Sequence, residues 1–244
     1  MILSAHQPAY IPWFGYFNKI ANSDVFIFLD SVQFEKNSFI NRNKIKASSG
    51  LLWLTVPVKI NGHMSKAILD IEIDNSQNWS QKHLNSIFLN YKKAPFFEEN
   101  YAKLLRLFDN RYERLSDLCW AQLNFWITEF GIQVKILRSS DLEVNDKKSA
   151  LILELCKQLA ATTYISGPLG KNYLNENQFE LENIKIVYQL FDHPKYNQLW
   201  GDFVDNLSII DLWMNVEDCS LLFKKDLNEF FTGMGQTVFK QQTP

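Results

Sequence analysis

Three groups of polar residues have types and spacings able to do chemistry. The first is His6-Gln7-Pro8-Ala9-Tyr10-Ile11-Pro12-Trp13-Phe14-Gly15-Tyr16. A histidine titrates near physiological pH and can take or give a proton. Two prolines restrict the segment around it, and Tyr10, Trp13 and Tyr16 offer ring faces for a base or a sugar. The same segment also reads as a core histidine in a proline-rich turn packed under aromatics. The second group runs from Asp30 to Lys46, where Lys36, Arg42 and Lys44 interleave with the amides Gln33, Asn41 and Asn43. Arginine binds a phosphate or carboxylate through a two-pronged hydrogen bond and lysine adds a point charge; a solvated basic turn is the bland alternative. The third is Tyr164-Ile165-Ser166-Gly167-Pro168-Leu169-Gly170-Lys171-Asn172-Tyr173-Leu174. Its glycines let backbone N–H groups approach an anion beside Lys171, but the spacing is not that of a Walker motif, and a plain tight turn accounts for it as well.

Other chemistry is thinly represented. His83 falls in a helical stretch, His63 in a turn, and His193 ahead of a helix for which Ser208 is the candidate cap. No His and carboxylate residues show metal spacing, so no metal site is expected. Cys119, Cys156 and Cys219 are odd in number and far apart, which excludes a disulfide framework and a zinc cluster and fits a reducing compartment. No Gly-x-Ser-x-Gly elbow is present.

The elements that must position these groups follow from apolar patterning. Ile2 to Ala5 reads as a buried strand opening into the His6 loop, and Gly15 to Ala21 as a short amphipathic helix. Val25-Phe26-Ile27-Phe28-Leu29, an unbroken apolar run between two aspartates, is the pattern of a strand covered on both faces. Leu51 to Ile60 and Ile68 to Ile73 read as a hairpin across Asn61-Gly62, kept off the sheet centre by Pro57. Residues 79–130 read as a helical insertion closed by Gly131; Val134 to Leu137, Tyr164 to Ser166 and Ile184 to Leu190 read as strands, and Lys148 to Ala160 as a helix. The fold class is therefore α/β: a mainly parallel sheet with helices on both faces, a β-hairpin excursion and a helical insertion, in one domain over residues 1–244. In such sheets ligands bind at the carboxyl ends of the strands, where the three polar groups fall.

Composition bounds the rest. The chain has 244 residues and a formal charge of -2, which argues against a DNA-binding role. The charge is uneven. Lys19, Lys36, Arg42, Lys44, Lys46, Lys59 and Lys66 face only Asp24, Asp30 and Glu35 in the first 66 residues, whereas acids dominate after Lys171. No charged leader precedes a long apolar stretch, so a cytoplasmic protein with no membrane insertion is expected. Aromatic residues reach 14%. By position, Phe26, Phe28, Trp53, Phe88, Phe125 and Trp126 are assigned to the core, and Tyr10, Trp13, Phe14, Tyr16, Tyr196 and Trp200 to a site.

The run His6-Gln7-Pro8, Tyr10, Pro12-Trp13, Gly15-Tyr16-Phe17, Lys19, Asp24, Asp30, Val32-Gln33-Phe34, Lys36 and Asn41-Arg42-Asn43, followed by Trp53 to Val58, closely resembles the WbqC-like protein family. Trp79, His83, Tyr91, Ala94-Pro95, Ser166-Gly167-Pro168, Gly170-Lys171, Tyr173-Leu174, Tyr196, Gln198, Phe203, Leu207-Ser208 and Asp211-Leu212 extend the resemblance to about Leu222. It implies a bacterial enzyme of surface-polysaccharide (O-antigen) biosynthesis, transferring an acyl or aminoacyl group such as glycine onto an amino sugar. The layout of the loops is also similar to that of adenylating nucleotidyltransferases, a likeness at the level of fold alone.

On this reading His6, Asp30 and Lys36 are the catalytic candidates. Gln7, Tyr10, Trp13, Asn41, Arg42, Asn43, Ser166, Gly167, Lys171, Tyr196 and Gln198 are the candidates for binding substrate. His6 serves as base or binds phosphate; Asp30 holds His6, the amine or a Mg²⁺; the expected partners are a nucleotide sugar and an acyl donor, or ATP with Mg²⁺. The alternative is a non-catalytic sugar or nucleotide binding module of a polysaccharide assembly system.

Overall fold

The computed structural model describes residues 1–59, 66–144 and 146–223. Five parallel strands, β1 (Ile2–His6), β2 (Val25–Phe28), β5 (Lys135–Arg138), β6 (Thr163–Ser166) and β7 (Lys185–Tyr188), form one sheet in the order β5-β2-β1-β6-β7. All four residues of β2 are buried, as its unbroken apolar run requires. The period of two sorts the side chains. Phe26 and Phe28 face helices α1 (Phe14–Ala21) and α4 (Leu115–Glu129), while Leu3, Ala5, Val25 and Ile27 pack with α5 (Lys148–Gln158) and α6 (Glu176–Leu181). Helices thus cover both faces, which is what lets a parallel sheet bury its strands.

Between β2 and β5 the chain makes an antiparallel hairpin, β3 (Arg42–Ala47) with β4 (Gly50–Thr55), and then α2 (Trp79–Tyr91), α3 (Phe97–Phe108) and α4. The hairpin is where the sequence reading needs correction. Arg42 to Lys46 is a strand, because its alternate residues Asn43 and Ile45 face inward while its charged residues lie outside or are neutralised by bonds. Its partner is Gly50–Thr55, and Ile68–Asp70 is a single turn of 3-10 helix; of the expected pairing the antiparallel bridge between Val58 and Ile73 is present, flanked by Lys59 N–Glu72 O and Asp74 N–Pro57 O bonds. Asn61-Gly62, the turn expected between strands, and His63 lie outside the described residues.

After β7, residues 189–208 run back over α1 and the hairpin before α7 (Ile209–Asn215). Gln189 Nε2 donates to Gly15 O at 2.8 Å and Asn18 Oδ1 at 2.9 Å. A methyl group at Gly15 would meet the Phe191 ring at 2.5 Å, so glycine is what allows this crossing. Ser208 stands at the start of α7, yet its hydroxyl makes no capping bond.

A candidate site at the strand ends

Because β2 and β6 flank β1, the chain leaves β1 toward one side of the sheet and leaves β6 toward the other. That divergence opens the crevice in which α/β proteins bind ligands, at the carboxyl ends of the two central strands. His6-Gln7 and Ser166-Gly167 occupy those ends.

The His6 ring meets the edges of Trp13 and Tyr16, with centroids 5.6 and 4.8 Å away. Its Nδ1 lies 3.0 Å from the Gln7 carbonyl oxygen. A carbonyl only accepts, so Nδ1 carries the hydrogen and Nε2 keeps its lone pair. Burial, reinforced by the nearby Lys19 charge and opposed by the Gln7 carbonyl, lowers the His6 pKa to about 3. His6 is therefore a neutral proton acceptor at physiological pH and does not bind phosphate as a cation.

Lys19 lies beneath it. Its ammonium is buried, donates to the Ala5 carbonyl at 2.9 Å, and has no carboxylate partner among the described residues. Burial brings its pKa down from 10.5 to about 7. The unfolded chain therefore binds a proton at Lys19 that the folded chain releases between pH 7 and 10.5, and this group's contribution to stability rises with pH across that window. Urea denaturation at pH 7 and 9.5 should show wild type gaining about 3 kcal/mol more than Lys19→Met. Equal pH dependences would rule out a depressed lysine.

The other expected residues separate into two kinds. Asp30, at the end of β2, has no solvent exposure and makes no bond to His6. It accepts from Ser139 Oγ (3.1 Å), Ser140 N and Oγ (both 3.0 Å) and Ser116 Oγ (3.5 Å), with Arg138 at 3.8 Å. So engaged, it offers no free carboxylate for an amine or a Mg²⁺. Tyr10 is likewise sealed, its hydroxyl 2.8 Å from His83 Nδ1, and cannot stack on a ligand. Asn43 Nδ2 donates to Ile11 O at 2.7 Å, and Gln122 Oε1 accepts from Ile11 N at 3.2 Å; together they hold Ile11 at φ 42°, a conformation a β-branched residue avoids. These residues shape the His6 loop and leave the ligand to others.

Tyr196 and Gln198 belong to a brace. Asp211 accepts from the Tyr196 hydroxyl at 2.8 Å and the Tyr91 hydroxyl at 2.7 Å, while Lys46 Nζ donates to Gln198 Oε1 at 3.0 Å and to the carbonyls of Gly201 and Asp202. The brace ties β3, α2 and α7 to the segment before α7. Lys171 lies 5.1 Å from the Tyr188 ring at the β7 side of the sheet. Ser166 is buried, its hydroxyl donating to Gly167 O at 3.1 Å, and a side chain at Gly170 would strike that hydroxyl. The third loop is thus a tight turn under Gly167.

Arg42, Lys36 and Asn41 gather elsewhere, around a cavity of about 250 Å³ that His6 and Lys171 do not line. It is connected to His6 through rings. Trp13 lies 5.3 Å from Phe39, Phe39 lies 5.8 Å from Trp53, and the Arg42 guanidinium sits 4.5 Å above Trp53. Phe39 is 41% and Trp53 44% exposed. This partly open ribbon of Trp13, Phe39 and Trp53 reverses the expected roles of several aromatics: Trp53, assigned to the core, is open, whereas Tyr10, Phe14 and Tyr16, assigned to a site, are buried. Phe39 is not among the residues the sequence points to, and Lys19 is named there only for its charge and its place in the family-like run. Phe39's position inside the polar Lys36–Arg42 run was the available signal, since a lone aromatic there has no local apolar partner.

Among the described residues no three His, Cys, Asp or Glu side chains cluster as a metal site would require. Burial holds the Cys156 and Cys219 thiols up at about 12 and Cys119 higher still, which makes them poor nucleophiles. No described helix is long and apolar enough to cross a membrane.

Comparison with known proteins adds two findings. The family described as WbqC-like protein family matches residues 7–221. A Mycobacterium tuberculosis (strain ATCC 25618 / H37Rv) protein described as uncharacterized is 38% identical over 212 residues, covering 86% of this chain and 91% of the relative. No solved structure matches the chain.

Proposed function

The chain belongs to the WbqC-like protein family, and from that premise we propose that it is a cytoplasmic transferase of bacterial surface-polysaccharide biosynthesis, one that moves an acyl or aminoacyl group onto the amine of a nucleotide-linked sugar. Residues 1–244 act as one domain in this reading. The observation that carries it is the neutral His6 at the topological switch point, from which the Trp13–Phe39–Trp53 ribbon leads to Arg42.

The chemistry fits the groups available. As the sugar amine attacks the acyl carbonyl and the donor's leaving group departs, the nitrogen must lose a proton. His6 Nε2, left with its lone pair by the Nδ1 bond to Gln7, accepts it in passing and, being a weak base, hands it on to the departing group. Exposed aromatic faces suit a sugar ring or a nucleobase, whose apolar faces they cover. Gln7 and Gly167 border the crevice, and Lys36 and Arg42 offer charge to a phosphate.

A thermal-shift screen with UDP-linked amino sugars, ATP with Mg²⁺ and acyl-CoA donors tests the reading. A UDP-amino sugar at about 100 times its Kd should raise Tm by about 5–10 °C, and Trp13→Ala should remove most of that rise. Absence of a shift with every ligand class would overturn it. Binding without turnover of any acyl donor would favour the non-catalytic module.

A further inference from the structure

Several basic side chains pair with a carboxylate: Lys59 with Glu72, Lys103 with Glu129, Arg114 with Glu72, Arg138 with Asp117 and Lys157 with Glu182. Lys36 and Arg42 do not; among the described residues neither pairs with an acid, and no Asp or Glu lines the cavity they share. Two uncompensated positive charges therefore face one concavity of about 250 Å³, together with Asn41, Thr55 and Gln77.

Arg42 is also fixed in place. Its guanidinium carbon lies over the Trp53 ring, 4.5 Å from the centroid, and Nη2 donates to Asn37 O at 2.5 Å. Nε is buried with no hydrogen-bond partner. A buried charged donor without an acceptor is unfavourable, and an oxygen brought to Arg42 would relieve it. Nε and Nη2 lie on the guanidinium edge that meets two oxygens at once in side-on pairs.

We infer that the Lys36–Arg42 cavity is a phosphate subsite, holding a phosphate or diphosphate while the attached ring lies on Trp53 and Phe39. The inference rests on the proposed sugar-nucleotide reading for the identity of the whole ligand. Two cations match a doubly charged phosphate better than a single carboxylate. The cavity's size suits the phosphate portion and leaves the ring outside, against the exposed aromatic faces.

The test uses the full chain with inorganic pyrophosphate as probe and sodium acetate at equal ionic strength as the carboxylate arm. Calorimetry should show pyrophosphate binding, and the Arg42 ¹Hε–¹⁵Nε cross-peak should move on its addition. Lys36→Ala and Arg42→Ala should each weaken binding at least tenfold. Arg42→Lys, which retains the charge and guards against misfolding, should weaken it as well because lysine has no fork; Lys135→Ala, a control at the start of β5 that does not line the cavity, should not. Wild-type affinity in both Lys36→Ala and Arg42→Lys, a stationary Arg42 cross-peak, or acetate competing at equal concentration would overturn the inference. Pyrophosphate bound with this dependence, in a protein that processes no sugar nucleotide, would refute the proposed transfer and leave the subsite standing.

Discussion

Replacing Asp30 with alanine should destabilise the protein by about 3–5 kcal/mol, the cost found when one partner of a buried charged network is removed. The carboxylate has no solvent exposure and receives hydrogen bonds from the Ser116, Ser139 and Ser140 side chains and the Ser140 backbone. Its loss strands these donors and leaves the Arg138 guanidinium, 3.8 Å away, with the Asp117 carboxylate at 3.0 Å and the Trp120 ring at 4.8 Å. A loss of that size is a large part of a typical domain's total stability and corresponds to a fall in Tm of about 10 °C. Chemical denaturation of wild type, Asp30→Ala and Asp30→Asn measures it. Asparagine should recover only part of the loss, since its amide replaces one acceptor with a donor facing other donors. If Asp30→Asn is as stable as wild type but inactive, the residue is catalytic and the clasp between β2 and the end of β5 is secondary.

His6→Gln should, under the proposed transfer, lower kcat by about 10²–10⁴-fold and leave KM within a factor of about two. Glutamine keeps a polar group of similar length but cannot accept the amine proton. The pH behaviour is specific. Because the folded His6 pKa is about 3 and the unfolded one near 6.5, His6 stays neutral in the fold from pH 5 to 8, and kcat should show no histidine inflection there. The same difference makes the unfolded state the better proton binder between pH 3 and 6.5, so the His6 contribution to stability falls as pH drops through that interval. His6→Gln should flatten this loss in acid denaturation. An inflection near pH 6.5 that vanishes in His6→Gln would show instead a fully hydrated imidazole and refute the depressed pKa.

The two substitutions separate residues that look equivalent in sequence. His6 ends β1 and Asp30 follows two residues after β2, the two strands being paired with His6 opposite Phe28. Strand position was legible for both because an unbroken apolar run is a local signal. Their roles diverge through partners more than a hundred residues distant: Ser139 and Ser140 reach Asp30 only because β5 pairs with β2. The hairpin was misread for a related reason. Arg42 to Lys46 carries too many charges to register as a strand, and it becomes one because Asn43, Ile45 and Lys46 find buried partners on the His6 loop, α2 and the segment before α7.

The aromatic residues show the same division. Phe26, Phe28 and Trp126 are buried as their apolar neighbours require, but Tyr10 and Tyr16, which the sequence places in a site with His6 and Gln7, are buried too, and Trp53 is open despite its apolar neighbours Leu52 and Leu54. Adjacency along the chain says what surrounds a residue before folding; burial depends on which element later covers it.

The sequence by itself determined the α/β class, the helices on both faces, the placement of His6 and Gly167 at strand ends, and the kinship with the WbqC-like proteins. These rest on periodicity and on residue identity, which need no knowledge of distant contacts. Only the tertiary structure decided that His6 is neutral over a buried Lys19, that Asp30, Tyr10 and Tyr196 are bound up in the framework, and that Phe39 and Trp53 join Trp13 to an unpaired Arg42. Desolvation and hydrogen-bond completion are properties of the packed assembly, set by segments far apart in the chain, and no spacing along it encodes them.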